Sequence, residues 1–504
     1  MRKKILALLL SAFMLLTLVP VTAMAAPSRQ TVKAGMPNYA ITTRNMGFVL
    51  LHRVVADMVE KTIDGIIAGA IVIPAVSQAT KKALKVGAVV GTTIIAGRVV
   101  CKLLKWLRPG TDNKSFKAVY NTAEEANVLT FYYDEKDHSS EGTVYDELYT
   151  APAPSAETEE EMAACWQYDD IRESVKGVVI DASVKNYKGL TSTAYMFYNL
   201  YAAENIQGAE YLDVSNVTDM SYMFYKYGAG WTEHWWDEVA TPPQITAVPN
   251  VSNWDTGKVT DMSDMFGNYG YYSEDLNAVP DVSNWQTGNV TDMNDMFDAY
   301  ADGSLVLDAV PNVSNWDTGK VTDMNCMFCT YGETSEVLDA VPNVSNWNTA
   351  SVTDLNNMFC CYGFASPVLN AVPNVSSWGT GEVTDMSYMF DDYGCHSEAL
   401  TTVPDVSNWD TGKVTNVYGV FYEYGYASSV LSFTLNLSGW DISNVDYTDT
   451  YCYEKMFEDA GTNASEWSVT IPNDGTNTGS CWYLSNGSSY IEPLSGKSFT
   501  LIPN

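Results

Sequence analysis

The sequence predicts an α/β solenoid of 31-residue units, each a short strand plus a short helix. Capping segments close the array, and an α-helical N-terminal hairpin precedes it. Three observations carry this expectation. Trp254, Trp285, Trp316, Trp347, Trp378, Trp409 and Trp440 stand 31 residues apart. A proline recurs at the start of the first half of the unit, at Pro249, Pro280, Pro311, Pro342, Pro373 and Pro404. In the second half Val259, Met262, Met265, Phe266 and Tyr269 form one apolar stripe at helical spacing.

Each element follows from these residues. Proline cannot donate to a strand ladder, so it belongs at or just before a strand's first residue. That places a short strand at about 281–285, where Val282 and Trp285 flank Ser283 and Asn284. Thr260 and Asp261 stand where oxygen acceptors could satisfy the free N–H groups of a helix start. Gly270 follows the stripe, at the position expected for a left-handed cap. A unit this small cannot bury its own apolar face, whereas stacked copies can, each touching only its neighbours. The seven indoles would then span roughly 29 Å along the stack.

The units VSNWDTGKVTDMSDMF (251–266), VSNWDTGKVTDMNCMF (313–328) and VSSWGTGEVTDMSYMF (375–390) resemble the repeat of the BspA-like leucine-rich-repeat surface proteins of bacteria. The segment 117–148 resembles the stretch that precedes the repeats in that family, and 463–477 with 495–501 resembles its closing segment. The resemblance covers residues 117–501. It implies a right-handed leucine-rich-repeat-like solenoid, exported from the cell, with adhesion to host proteins or other cells in some members. The unit here is longer, with extra residues after Tyr-Gly and one around the proline.

The remaining organisation comes from composition. Arg2, Lys3 and Lys4, an apolar run and Ala23-Met24-Ala25 read as a signal peptide over 1–25. No lipoprotein cysteine follows it and no sorting motif is seen, so the expected location is secreted or cell surface. Residues 26–116 form a basic apolar segment. Within it, 62–79 and 83–100 carry Gly65/Gly69 and Gly87/Gly91, small-residue faces that suit close helix packing. The hairpin reads as membrane-inserted or membrane-surface, as a soluble helical pair, or as disorder. Membrane contact through 39–108 stays among the partner candidates. Residues 117–190 are expected as a β-rich N-terminal cap, 191–460 as the repeat array and 461–504 as a C-terminal cap.

Charge divides the chain. Residues 1–110 hold 15 Lys and Arg against 3 Asp and Glu, and the remainder holds 13 against 58. An acidic body of that kind repels nucleic-acid phosphates, so nucleic acid is excluded as a partner.

Candidate site residues are few. Trp231, Trp235 and Trp236 interrupt the period and are candidates for an exposed contact patch. The column Asp261, Asp292, Asp323, Asp354 and Asp385 suggests calcium, but the glycine-rich loop of calcium-binding stacks is missing, and helix starts explain the aspartates without a metal. Cys329 and Cys360 lie one period apart and should be neighbours; Cys452 and Cys481 could pair; buried thiols explain all four equally. Cys326 and Cys329 form a lone C-x-x-C without a second pair for zinc. His52, His138, His234 and His396 make no H-E-x-x-H pair. No catalytic residue, metal ligand or cofactor is therefore assigned, and the binding residues are left open. The sequence points to a non-enzymatic exported surface protein that binds host or environmental proteins or glycans through its repeats. The alternatives are a structural envelope protein held by the hairpin and, more remotely, a glycan hydrolase using acidic residues.

Overall fold

The computed structural model describes residues 114–123, 127–145, 171–230, 243–245, 247–441, 443–445, 455–472 and 498–502. The chain divides into two units, 1–113 and 114–504, and all of the first lies outside the described residues. The hairpin expected over 62–79 and 83–100 therefore receives no support from the structure. Trp231, Trp235, Trp236, Cys452, Cys481, His52 and His234 also lie outside the described residues. No helix among the described residues is long and apolar enough to cross a membrane.

The second unit opens with a five-stranded sheet of order β3-β1-β2-β4-β5. Its strands are β1 (Ser115–Asn121), β2 (Val128–Asp134), β3 (Thr143–Tyr145), β4 (Gly177–Ile180) and β5 (Asn205–Gln207). β1 pairs antiparallel with β2 and β3, whereas β2–β4 and β4–β5 are parallel. Leu129 and Phe131 alternate inward on β2, as a half-buried strand requires. Lys117 is buried on β1, 3.0 Å from the Asp134 carboxylate, and donates to the Lys136 carbonyl at 2.6 Å. At the other end β6 (Ser432–Asn436), β7 (Glu466–Pro472) and β8 (Ser498–Ile502) form a parallel sheet.

Between the sheets the repeats stack in register. Parallel bridges run from Ser192 through Asp219, Asp261, Asp292, Asp323, Asp354 and Asp385 to Asn416. The seven tryptophans are buried and lie nearly parallel, with successive centroids 6.1–6.4 Å apart. A second column of phenylalanines and a third of tyrosines run beside them, as at Phe328–Phe359 (5.6 Å) and Tyr331–Tyr362 (5.4 Å). Buried polar atoms close between coils. From Trp285 onward each indole N–H donates to a valine carbonyl in the preceding coil, for example Trp347 Nε1 to Val313 at 3.1 Å, and Trp254 Nε1 donates to the Ala209 carbonyl at 3.0 Å. Ser335 Oγ donates to the Leu307 carbonyl at 2.7 Å, and Ser366 repeats this to Leu338 at 2.8 Å.

The expected strand-plus-helix unit is not what the chain forms. The α/β leucine-rich-repeat-like solenoid is overturned by a backbone of β elements and turns. Helix among the described residues is confined to short 3-10 turns such as Ile171–Glu173, Ala182–Asn186 and Ala209–Tyr211. The reason lies in where the N–H groups go. In the apolar stripe Met262, Asp264, Phe266 and Asn268 donate to Asp292, Asn294, Met296 and Asp298 of the next coil. Met265, Gly267 and Tyr269, between them, close three-residue turns on Met262, Asp264 and Phe266. An α-helix would direct all of these to the fourth residue back. The alternation is made possible by left-handed backbone at Asp264 (φ 54°), Asn268 (φ 55°) and Gly270 (φ 63°). The strand expected at 281–285 is likewise a turn: Trp285 N–H donates to the Val282 carbonyl at 3.2 Å, and the Asp281 side chain accepts from Ser283 N–H at 3.1 Å.

The tyrosine column offers a graded test of this packing. Tyr331 Oη donates to the Ala309 carbonyl at 2.7 Å, and Tyr300, Tyr362 and Tyr393 make the equivalent bond. Tyr269 is as fully buried, yet its hydroxyl has no hydrogen-bond partner among the described residues. Tyr331→Phe should lower stability by about 1–2 kcal/mol, because a buried carbonyl loses its donor. Tyr269→Phe should be neutral or stabilising. Urea unfolding of the two variants side by side measures the difference.

Candidate functional site

The inward positions of the unit hold the same or a similar apolar residue in successive coils, because the stack needs matching partners. One face departs from this rule. It consists of three columns along the turn-rich half of the unit. The first runs Tyr195, Tyr222, Asp264, Asp295, Cys326, Asn357 and Tyr388; the second runs Tyr198, Tyr225, Gly267, Asp298, Cys329, Cys360, Asp391 and Tyr422; the third runs Asn199, Lys226, Asn268, Ala299, Thr330, Cys361, Asp392 and Glu423. The first and third columns have left-handed φ throughout, 47–59°. That conformation turns consecutive residues such as Cys360 and Cys361 toward one face, whereas an extended strand would send them to opposite faces.

The chemistry changes along this face. At one end Tyr195 stacks on Tyr222 (4.8 Å) and Tyr198 on Tyr225 (5.5 Å), with Lys226 Nζ 4.8 Å from the Tyr225 ring. The middle is carboxylate and thiol. Burial, then the neighbouring Asp295, pushes Asp264 up to about 8. Burial and Asp295 also push Asp298 up to about 7, although Cys329 and Thr330 hydrogen-bond to it. Glu333 is raised to about 7 by burial and by Asp302 and Asp392. Farther on, burial with Asp392 raises Asp391 to about 7, and burial with Glu423 raises Asp392 to about 6. These shifts share their causes. Burial is the largest contribution to each, and carboxylates beside it in the same or the adjacent coil add to it by disfavouring a second charge.

The thiols form a continuous row within this region. Cys326 and Cys329 are hydrogen-bonded, Cys329 touches Cys360 of the next coil, and Cys360 Sγ lies 3.4 Å from Cys361 Sγ. Cys360 Sγ is 3.5 Å from Asp391 Oδ2 one coil on, and Cys395 Sγ is 3.7 Å from Glu423 Oε2. All five thiols are free. Cys329 and Cys360 are thus neighbours on adjacent coils, as their spacing suggests. Cys361, Asp391 and Asp392 went unnoticed in the sequence, although the Cys-Cys and Asp-Asp pairs stand 31 residues apart.

The other sequence candidates have structural roles. Each aspartate of the bridge column accepts from the backbone N–H two residues on: Asp261 from Ser263 at 3.0 Å, Asp323 from Asn325 at 3.0 Å, Asp354 from Asn356 at 2.9 Å. These are Asx turns, not helix starts. His138 is buried under Tyr132, with its ring nitrogens 3.1 Å from Asp134 and 3.0 Å from Glu141. His396 is exposed beside Phe364.

A second surface feature repeats with the coil. Val306, Val337, Val368 and Val430 stand in one column and are 38–51% exposed, with Ala399 between the last two. Leu305 beside them is 45% exposed. A polar column of Asn277, Asp308, Asp339, Asn370 and Thr401 flanks it and is linked by bonds such as Asn370 N–H to Asp339 Oδ1 at 2.9 Å. Scattered exposed apolar residues are ordinary, but a contiguous row marks a contact surface.

No curated protein and no solved structure matches the chain. One family model does, at residues 180–230, 243–340, 306–392 and 333–470, overlapping windows that follow from its registering on successive coils. These windows cover more than half of the sequence and enclose both the variable face and the valine column. The chain belongs to the family described as Mycoplasma protein of unknown function, DUF285.

Proposed function

We propose that this is an exported surface protein of the BspA-like kind, which binds a protein partner along its stacked repeats. The observation that carries the reading is the valine column, an exposed valine in four of five successive coils beside a polar row. The coil spacing repeats this ridge at roughly 4.8 Å, a regular edge that an extended or repetitive partner surface can follow. The acidic balance of residues 111–504 favours a partner with basic groups around its apolar contact. Read as an export signal, residues 1–25 support an array displayed outside the cell. Membership of the repeat family is consistent with a display scaffold, in which a uniform core leaves the surface free to vary.

The test uses the full chain against immobilised mucin, collagen and fibronectin. Binding to one of these should fall at least tenfold in the double variant Val337→Asp/Val368→Asp, with unchanged near-ultraviolet circular dichroism from the indole stack. It should also weaken with added salt. Binding that ignores the substitutions, or no binding to any of the three, would overturn the reading.

A further inference from the structure

We propose that Cys360, Cys361 and Asp391 form a binding site for a thiophilic divalent cation of the zinc class. The three donors come from two adjacent coils. Cys361 has φ 51°, and this left-handed turn brings its sulfur to the side already occupied by Cys360, 3.4 Å away. Asp391 reaches the same point from the next coil, with Oδ2 3.5 Å from Cys360 Sγ. All three ligand atoms lie within 4.8 Å of one another. A tetrahedral ion with metal–sulfur bonds of about 2.3 Å holds its sulfurs roughly 3.8 Å apart. Small side-chain rotations reach that spacing from the observed one.

A second observation points to a cation. Asp391 is nine-tenths buried, and its other oxygen, Oδ1, is buried without a hydrogen-bond partner among the described residues. The groups around it are mostly acidic: Asp392 and Glu423 repel its charge, and Lys455 is the cation acting on it. Oδ1 has no donor among the described residues, and one lysine faces several carboxylates; a metal ion supplies a partner for that oxygen and further positive charge. Two thiolates select zinc, cobalt or cadmium over calcium or magnesium. Cys329, in contact with Cys360 from the preceding coil, or a water molecule completes the coordination. On binding, each thiol gives its proton to solvent as its sulfur bonds the ion, so metal uptake releases protons. The site does not depend on what the valine column binds.

The neighbouring group of Asp392, Cys395 and Glu423 also lies within 4.8 Å but offers one sulfur, which makes it an internal comparison. The test is titration of the reduced, chelator-stripped full chain with Co2+. We expect one equivalent to give the strong visible absorption of tetrahedral cobalt together with a thiolate charge-transfer band, and Zn2+ to displace it. Cys360→Ser/Cys361→Ser should abolish the charge-transfer band. Asp391→Asn should weaken Co2+ binding by at least about 100-fold, the top of the range for outer-shell partners. Circular dichroism of the indole stack reports folding. Should the double variant misfold, Cys361→Ser alone and Asp391→Asn carry the test. An unchanged cobalt spectrum in these variants would overturn the proposal. So would an octahedral spectrum, no binding at micromolar metal, or a native mass showing Cys360 and Cys361 joined as a disulfide.

Discussion

Trp347→Ala should split the unfolding of the repeat array. Trp347 lies between Trp316 (6.3 Å) and Trp378 (6.2 Å), packs on Phe328 (6.5 Å) and is 3% exposed. Truncating a buried tryptophan costs about 3–5 kcal/mol through lost transfer energy and the cavity left behind. The Val313 carbonyl also loses its indole donor, a further penalty of about 1–3 kcal/mol if no water reaches it. Each coil contacts only its neighbours, so the loss falls on two interfaces in the middle of the stack. The expected result in urea is a large drop in midpoint and separation of one transition into two, followed by tryptophan fluorescence and far-ultraviolet circular dichroism. A single transition shifted by under 1 kcal/mol would mean that the indoles do not carry the stack.

The second large effect is on pH. In the unfolded chain Asp264 titrates near 4. Folded, burial and the adjacent Asp295 raise it to about 8. Between these values the native state holds a proton that the unfolded state has released, so its contribution to stability falls as pH rises through the window. Below pH 4 both states are protonated and the penalty vanishes; above pH 8 it is complete. Asp298 and Glu333, raised to about 7, act in the same direction. Asp134, Asp181 and Asp213 are held below the usual range and act oppositely, their contribution being lost as pH falls toward their folded values. Asp264→Asn should therefore stabilise the protein at pH 8.5 by on the order of 2–4 kcal/mol and change little at pH 4. Thermal melts of both proteins from pH 4 to 8.5 measure this. A constant offset across that range would mean that Asp264 titrates alike in the folded and unfolded chain.

The core was readable from the sequence because the stack leaves identical apolar residues one period apart. Trp254 through Trp440 and the methionines and phenylalanines of the repeat stripe are inside, as the spacing implies. The backbone class was not readable for a specific reason. Spacing of the kind shown by Val259, Met262, Met265 and Phe266 says which side chains go inward, not where their N–H groups bond. Intercoil bonds at alternate residues bury the same stripe as a helix would. The left-handed positions hold Asp264 and Asn268 in one coil but Cys326 and Thr330 in another, so composition does not mark them. Asp281-Val282-Ser283 did carry a turn signal, an Asx residue two before a backbone donor, which the strand reading passed over. The candidate metal ligands were equally hard to see. Cys360 and Cys361 would face opposite ways on a strand, and only the turn at Cys361 brings them together beside Asp391.

The register of the coils is open to direct measurement by cross-linking. Thr322 and Thr353 are exposed, and Thr353 N–H donates to the Thr322 carbonyl at 2.8 Å. Adjacent coils place their α-carbons about 4.8 Å apart, inside the range a disulfide spans. The variant Thr322→Cys/Thr353→Cys should oxidise to a bond between the two introduced sites, mapped by mass spectrometry of the proteolysed chain. The pair Thr322→Cys/Thr384→Cys, two coils apart, should not. Equal cross-linking of both pairs, or none of the first, would contradict in-register stacking and with it the core, the valine column and the site at Cys360.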